Sequence, residues 1–235
     1  MKSVAILLAG GSGRRFGEDK MFFELAGQSV LARSVAIVGR HPAVDRLVVV
    51  TSAPSLSRTE RLVREMALSI PWTVVEGGDT RQASSLSGLS EAWRHMRDEG
   101  DRVVALIHDA ARCLLPPSLV DGLLACIARE RCGAAPAIPV TDTIRRLDTS
   151  KTHLKTTLPR DLLVAMQTPQ GADLAVLLRA AEQAVSDGAD VTDDVELLLR
   201  IGYPVRFILG SERNMKITTR ADAERAAWFI DAIDS

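Results

Sequence analysis

The sequence predicts an α/β fold built on a mostly parallel sheet with helices on both faces. Short apolar runs rich in β-branched residues recur along the chain, each ending in glycine or polar residues. Segments of helical period lie between most of them. The 235 residues suit one large α/β domain, and 46% hydrophobic residues can fill its core. Alternation of this kind implies right-handed crossovers and a sheet covered on both sides.

In chain order, the expected strands are residues 4–8, 47–51, 72–75, 103–107, 134–140 and 205–209. Helical periods occupy 30–38, 59–67, 85–96, 119–128, 174–184, 195–201 and 221–230. Ser57 with Glu60 has the spacing of a capping box for the second helix. One stretch breaks the rhythm. Residues 142–166 are polar and Thr-rich with no long apolar face, and they read as a hairpin arm leaving the domain.

A formal net charge of −1 gives no global field for nucleic acid or a membrane surface, so an anionic ligand needs cations gathered locally. Cys113, Cys126 and Cys132 show neither C-x-x-C nor zinc spacing and are expected to be free buried thiols of a cytoplasmic protein. The apolar run at 4–9 is too short for a signal peptide core, and no run approaches the roughly 20 residues that span a bilayer.

Ligands of such sheets bind beyond the carboxyl ends of the strands. After the first strand comes LAGGSGRRFGEDK. Its glycines Gly10, Gly11 and Gly13 let backbone N–H groups turn to an anion, and Arg14, Arg15 and Lys20 suit phosphate oxygens. Spacing excludes G-x-G-x-x-G by one residue, and no Gly-Lys-Ser/Thr of a P-loop is present. After the third strand, EGGDTRQASSLSGL places Gly77, Gly78, Asp79, Arg81 and Ser84 close together, either to read a base edge or to cap a helix. After the fourth, HDAAR puts Asp109 at the strand tip, where a carboxylate can share Mg²⁺ with phosphates. The alternative to a metal there is a structural salt bridge from Asp109 to Arg112, three residues on, and the sequence leaves both open; His108 alternates away as a packed or hydrogen-bonded histidine. MQTPQG (166–171) reads as a strand-to-helix turn, VTDD (191–194) as a helix N-cap, and ERNMKITT (212–219) brings Lys216, on its own ordinarily a surface charge. No G-x-S-x-G or H-E-x-x-H is present. Glycine loops, cations and one metal-type acid suit nucleotidyl transfer, where positioning and charge neutralisation dominate.

Taken in order, LAGGSGRR, GGDTRQASSLSGL, HDAAR, PVTDTIRR, QTPQ, VTDD and NMKITT make the chain resemble the 2-C-methyl-D-erythritol 4-phosphate cytidylyltransferase family along nearly its whole length. The opening differs from the family's usual form, with a shorter gap to Lys20 and no proline before it, and that fragment is similar to molybdenum-cofactor guanylyltransferases.

The resemblance implies a single Rossmann-like nucleotidyltransferase domain over 1–235. Its sheet is mixed and mostly parallel, and a protruding β-arm at 142–166 clasps a second copy in a homodimer. It implies Mg²⁺-dependent transfer of CMP from CTP to methylerythritol phosphate. By the same resemblance Arg15, Lys20 and Lys216 are catalytic, and Ala9, Gly10, Gly11, Gly13, Gly78, Asp79, Ser84 and Asp109 bind nucleotide. Asp109, Arg112, Thr143, Arg160, Thr168 and Thr192 bind the sugar phosphate, and Asp109 holds the metal. The alternatives left open are ribitol 5-phosphate or another alditol phosphate as acceptor, a different base, and a nucleotide-binding regulatory module.

Overall fold

The computed structural model describes residues 1–10, 16–17, 19–99 and 102–234. The chain opens with β1 (Lys2–Leu8), a small hairpin of β2 (Glu24–Leu25) and β3 (Gln28–Ser29), and α1 (Val30–Gly39). There follow β4 (Arg46–Thr51), α2 (Leu56–Glu65), β5 (Trp72–Glu76), α3 (Arg81–Met96), β6 (Val103–Asp109) and α4 (Pro117–Glu130). Then come β7 (Gly133–Pro139), β8 (Arg145–Leu147), β9 (Leu154–Thr157), β10 (Val164–Met166) and β11 (Gln170–Asp173). The chain finishes with α5 (Leu174–Ser186), α6 (Asp194–Arg200), β12 (Val205–Leu209) and α7 (Arg220–Asp234).

The main sheet runs β10-β7-β11-β6-β1-β4-β5, with β12 also paired to β7. From β6 to β5 all pairs are parallel, while β11 is antiparallel to β6 and β10 is antiparallel to β7. Strand order therefore moves outward from β1 to β5 and then returns to place β6 on the other side of β1. That reversal opens a crevice between the tips of β1 and β6, where Leu8 lies beside Asp109.

Burial on both faces explains why these strands read as continuous apolar runs. Ala5, Leu7, Leu47, Val49, Val104 and Leu106 pack against α1, α4 and α7. Their alternates Val4, Ile6, Val48, Val50, Ala105 and Ile107 pack against α3, α5 and α6. Within the expected arm at 142–166, β8 and β9 do form a hairpin separate from the main sheet, but the arm ends before 164, because Val164–Met166 is β10 and pairs with β7 in the main sheet.

Two local expectations are corrected. Ser57 and Glu60 form no capping box. A 3-10 turn at Ala53–Ser55, started by Pro54, feeds directly into α2, so Ser57 is already inside the helix. The MQTPQG segment joins two strands, not a strand to a helix. The chain turns at Thr168–Pro169, a cis peptide, and pairs back along β6 before α5 begins at Leu174.

α3 packs directly on the sheet at Gly88, where there is no room for a side chain. A Cβ there would collide with Ile6 and come within 2.8 Å of Val50 Cγ2. Gly88→Leu is expected to lift the helix and cost about 2–3 kcal/mol in urea unfolding. Wild-type stability in that variant would show that the helix is not seated by this contact.

Candidate active site

The crevice is built from segments that leave the carboxyl ends of the strands. After β1, the Ala9 N–H bonds Val50 O at 2.7 Å. The next residue, Gly10, packs against Thr51 and Ser84, and a Cβ there would stand in ordinary contact, 3.6 Å from the Thr51 carbonyl carbon and 3.9 Å from Ser84 Oγ. After β5, Gly77 N–H donates to Thr51 O at 2.8 Å. A Cβ on Gly78 would strike Ala83, and one on Gly77 would lie 2.6 Å from Ser84 Oγ. Only glycines allow the first turn of α3 to settle on this loop. Ser84 Oγ then donates to Gly78 O at 3.2 Å, and Thr80 caps the helix through Ala83 N–H. Of the two readings the sequence left open for this region, the helix cap is met by Thr80, and Gly10, Gly78 and Ser84 come together beside it. Asp79 stands exposed at its rim.

Asp109, 7% exposed, occupies the tip of β6. Its carboxylate lies 2.7 Å from Lys216 Nζ through one oxygen and 3.3 Å from Arg81 Nε through the other. Lys216 is thus an ion-pair partner of the site. Arg112 does not pair with Asp109. Its guanidinium instead reaches the carbonyl oxygens of Asn214 at 2.8 Å and Met166 at 3.4 Å, because the turn after β6 points it across the crevice.

Behind Asp109, Arg81 is shared with Asp194, a buried residue in the first turn of α6, at 2.7 Å. Ser85, one helical turn after Arg81, donates to the other Asp194 oxygen at 2.6 Å. Gln170 Oε1 accepts the N–H groups of Asp194 and Val195, each at 2.8 Å. The resulting network fixes the charge of Asp109. Burial would raise the Asp109 carboxyl, but Arg81 and Lys216 overcome it and hold the group at about 2. Burial would likewise lower the Arg81 guanidinium, but its two carboxylate partners raise it.

A second chain of hydrogen bonds fixes the backbone of Asp109. Thr168 Oγ1 accepts the Asp109 N–H at 3.1 Å and lies 2.9 Å from His108 Nδ1. His108 Nε2 is 3.2 Å from Arg112 O. A carbonyl can only accept, so Nε2 carries the proton and Nδ1 accepts from the threonine hydroxyl. Burial holds this imidazole at about 4, so it is neutral.

The cavity of about 150 Å³ at this centre is lined by Arg81, Asp109, Arg112, Thr168, Thr192 and Lys216, among others. Thr192 is not the helix cap. Asp193 caps α6 through the Glu196 N–H, while Thr192 bonds the Glu196 carboxylate at 2.9 and 3.1 Å from its N–H and hydroxyl. Thr143 and Arg160 do not line the cavity. They are exposed at the arm, where Arg160 donates to Thr141 O at 2.9 Å. Lys20 begins a 3-10 turn capped by Asp19. Gly11, Gly13 and Arg15 lie outside the described residues.

Sequence reasoning left Asp194, Ser85 and Gln170 out of the site. The signal available was the i, i+4 spacing of Arg81 and Ser85, two polar groups on one face of a helix that otherwise packs on the sheet.

His108 gives a pH prediction. Folding moves its pKa from 6.5 to about 4. Between those values the unfolded chain takes up a proton that the folded chain does not. The associated stability is complete above pH 6.5 and is lost as pH falls toward 4. Urea unfolding between pH 7 and 5 is expected to show this decline, and His108→Gln is expected to lack it. An unchanged slope in the variant would contradict a neutral, buried His108.

Residues 3–232 match the family described as IspD, 2-C-methyl-D-erythritol 4-phosphate cytidylyltransferase. A protein of that name from Synechococcus elongatus is 37% identical over 228 residues, covering 96% of this chain and 94% of the relative. One from Thermosynechococcus vestitus is 36% identical over 227 residues, covering 96% and 94%. A crystal structure of a 4-diphosphocytidyl-2C-methyl-D-erythritol synthase superposes with a TM-score of 0.80 at 28% identity, covering 97% of this chain and 98% of that one. The chain belongs to the 2-C-methyl-D-erythritol 4-phosphate cytidylyltransferase family, and its α/β architecture is that of a nucleotidyltransferase.

Proposed function

We propose that this chain transfers CMP from CTP to 2-C-methyl-D-erythritol 4-phosphate, releasing pyrophosphate and forming 4-diphosphocytidyl-2-C-methyl-D-erythritol. The observation that carries this reading is the convergence of Asp109, Lys216, Arg112 and Thr192 on one cavity at the strand-order reversal, on the same sheet edge as the contacts among Gly10, Gly78 and Ser84. The cavity suits a sugar phosphate and the glycine cluster suits a base, and all of these residues fall within the 3–232 family match.

In this reading cytosine is read at Gly78, Asp79 and Ser84, with the backbone of Ala9 and Gly10 beside it. Gly11, Gly13, Arg15 and Lys20 hold the triphosphate. An oxygen of the acceptor phosphate attacks the α-phosphorus of CTP, and the bond from that phosphorus to the bridging oxygen of pyrophosphate breaks. A phosphate monoester, with a second pKa near 6, is already ionised at neutral pH, so no general base is required. Lys216 supplies charge to the pentacoordinate phosphorus, and this positioning and neutralisation does the chemical work. Arg112 and Thr192 bind the acceptor. Thr168 contributes through Asp109, since its hydroxyl is engaged with that residue's N–H and with His108.

Asp109 fits Mg²⁺. It is an ionised carboxylate at the cavity wall, and Mg²⁺ is commonly held by one or two carboxylates together with substrate phosphates. No cluster of three or more His, Cys, Asp or Glu able to hold an ion is found among the described residues. An ion at Asp109 would therefore be completed by the nucleotide, and would supply charge neutralisation at the phosphates.

The arm is proposed to join two copies, so that Thr143 and Arg160 complete the partner's acceptor site. Leu147, Leu154 and Leu162 expose apolar side chains along it, Leu162 to 82%. Sedimentation as a dimer, reduced to monomer by Leu154→Asp with Leu162→Asp, is the expected behaviour. A monomeric wild-type chain would contradict it. Among the described residues no helix is long and apolar enough to cross a membrane. A cytoplasmic location is part of the same proposal.

Pyrophosphate release decides the reaction. With Mg²⁺, crossing CTP, GTP and ATP against methylerythritol phosphate and ribitol 5-phosphate, turnover is expected with CTP and methylerythritol phosphate and to stop when EDTA removes the metal. Turnover only with ribitol phosphate, or only with GTP, would overturn the assignment.

A further inference from the structure

Lys216 has no helix or strand to hold it. It lies in irregular backbone between β12 and α7, yet its ammonium must arrive within a hydrogen bond of Asp109. What seats this segment is a pair of buried amides on opposite sides of the turn.

The first is Gln167, 4% exposed. Its Oε1 accepts the Ser211 N–H at 3.2 Å, and its Nε2 donates to Ser211 O at 2.8 Å. Both polar groups of one backbone residue are met by one side chain, as a neighbouring strand would meet them. The position continues the sheet. The β7–β12 ladder ends with Leu209 opposite Ala137, Gly210 N–H bonds Ala137 O at 2.8 Å, and the Gln167 carboxamide takes the next place. Gly210 leaves room for it, because a Cβ there would collide with Gln167 Oε1 and lie 3.2 Å from the Ala137 carbonyl.

The second amide is Asn214, fully buried. Its Nδ2 donates to Thr168 O at 2.7 Å and to Gln167 Oε1 at 3.3 Å. Two acceptors on that side fix which way the amide faces, and its Oδ1 is buried with no hydrogen-bond partner among the described residues. One residue beyond the lysine, the Ile217 N–H bonds Ala111 O at 2.8 Å. Lys216 is thereby tied on both sides to the segments that carry Asp109 and Thr168.

We propose that Gln167 and Asn214 are positioning residues of the transfer reaction, which seat the Ser211–Lys216 segment so that the lysine ammonium meets the cavity beside Asp109. The inference rests on the role given above to Lys216. Neither amide lies next to the lysine in sequence. They act through backbone, so a small shift of the segment moves the ammonium away from the reacting phosphate.

A double-mutant cycle tests this. Gln167→Ala is expected to lower kcat at least tenfold, to leave KM for CTP within about twofold, and to add no more than about a further twofold loss when Lys216 is already alanine. Asn214→Ser is expected to follow the same pattern. If Gln167→Ala does not fold, Gln167→Glu is read in its place, since it keeps the acceptor for the Ser211 N–H and loses the donor to Ser211 O. Wild-type kcat in the Gln167 variant, or the same fold-loss in both backgrounds, would overturn the inference. The two failures are distinguishable. Lys216→Ala with wild-type kcat removes the role of the lysine itself, whereas an impaired Lys216→Ala beside a fully active Gln167 variant removes only the positioning.

Discussion

The ionised carboxylate of Asp109, held between Arg81 and Lys216, is the interaction around which the rest of the crevice is arranged. A buried carboxylate survives only with cations and hydrogen bonds to offset its lost hydration. Here the two cations differ. Arg81 is committed on its far side to buried Asp194 and stands on a helix, so it is part of the framework. Lys216 is more exposed, with 38% of its side chain accessible, and comes from an irregular segment. In the proposed reaction it is the partner that an incoming phosphate recruits while Asp109 keeps its arginine.

Sheet topology makes this arrangement possible. Because β6 returns to the far side of β1, the tips of those strands face an open crevice, and Ala9 and Gly10 after β1 meet the segments after β5 and β6 there. The glycines at 77, 78 and 88 let α3 approach the sheet closely, which brings Arg81 under Asp109 and Ser84 beside Gly10. Packing on the apolar face of α3 and charge placement at its N-terminus are therefore one constraint. Loosening the helix would disturb both.

Much of this was legible in the sequence. The parallel strands and their crossover helices were readable because burial on both faces leaves long β-branched runs, and β12 appears where 205–209 was expected. Asp109 was readable as a polar residue at the tip of such a run. What escaped was whatever depends on partners far apart in the chain. Arg112, three residues away, was one candidate partner of Asp109, but Arg81, 28 residues away, holds that place. Asp194 and Gln170 carried turn-like contexts that gave no sign of burial, and Gln167 and Asn214 are ordinary amides until the sheet brings them together. The arm was visible as a break in the apolar rhythm, but composition could not say where Thr143 and Arg160 would act.

The central claim is that Lys216 exchanges Asp109 for nucleotide phosphate while Arg81 stays in place. A crystal structure of the chain with Mg²⁺ and a non-hydrolysable CTP analogue tests it most directly. The account predicts Lys216 Nζ on an α-phosphate oxygen, with the Arg81 contacts to Asp109 and Asp194 retained and the Gln167–Ser211 bonds intact. Lys216 still paired to Asp109, with the α-phosphate contacted by other groups, would contradict it.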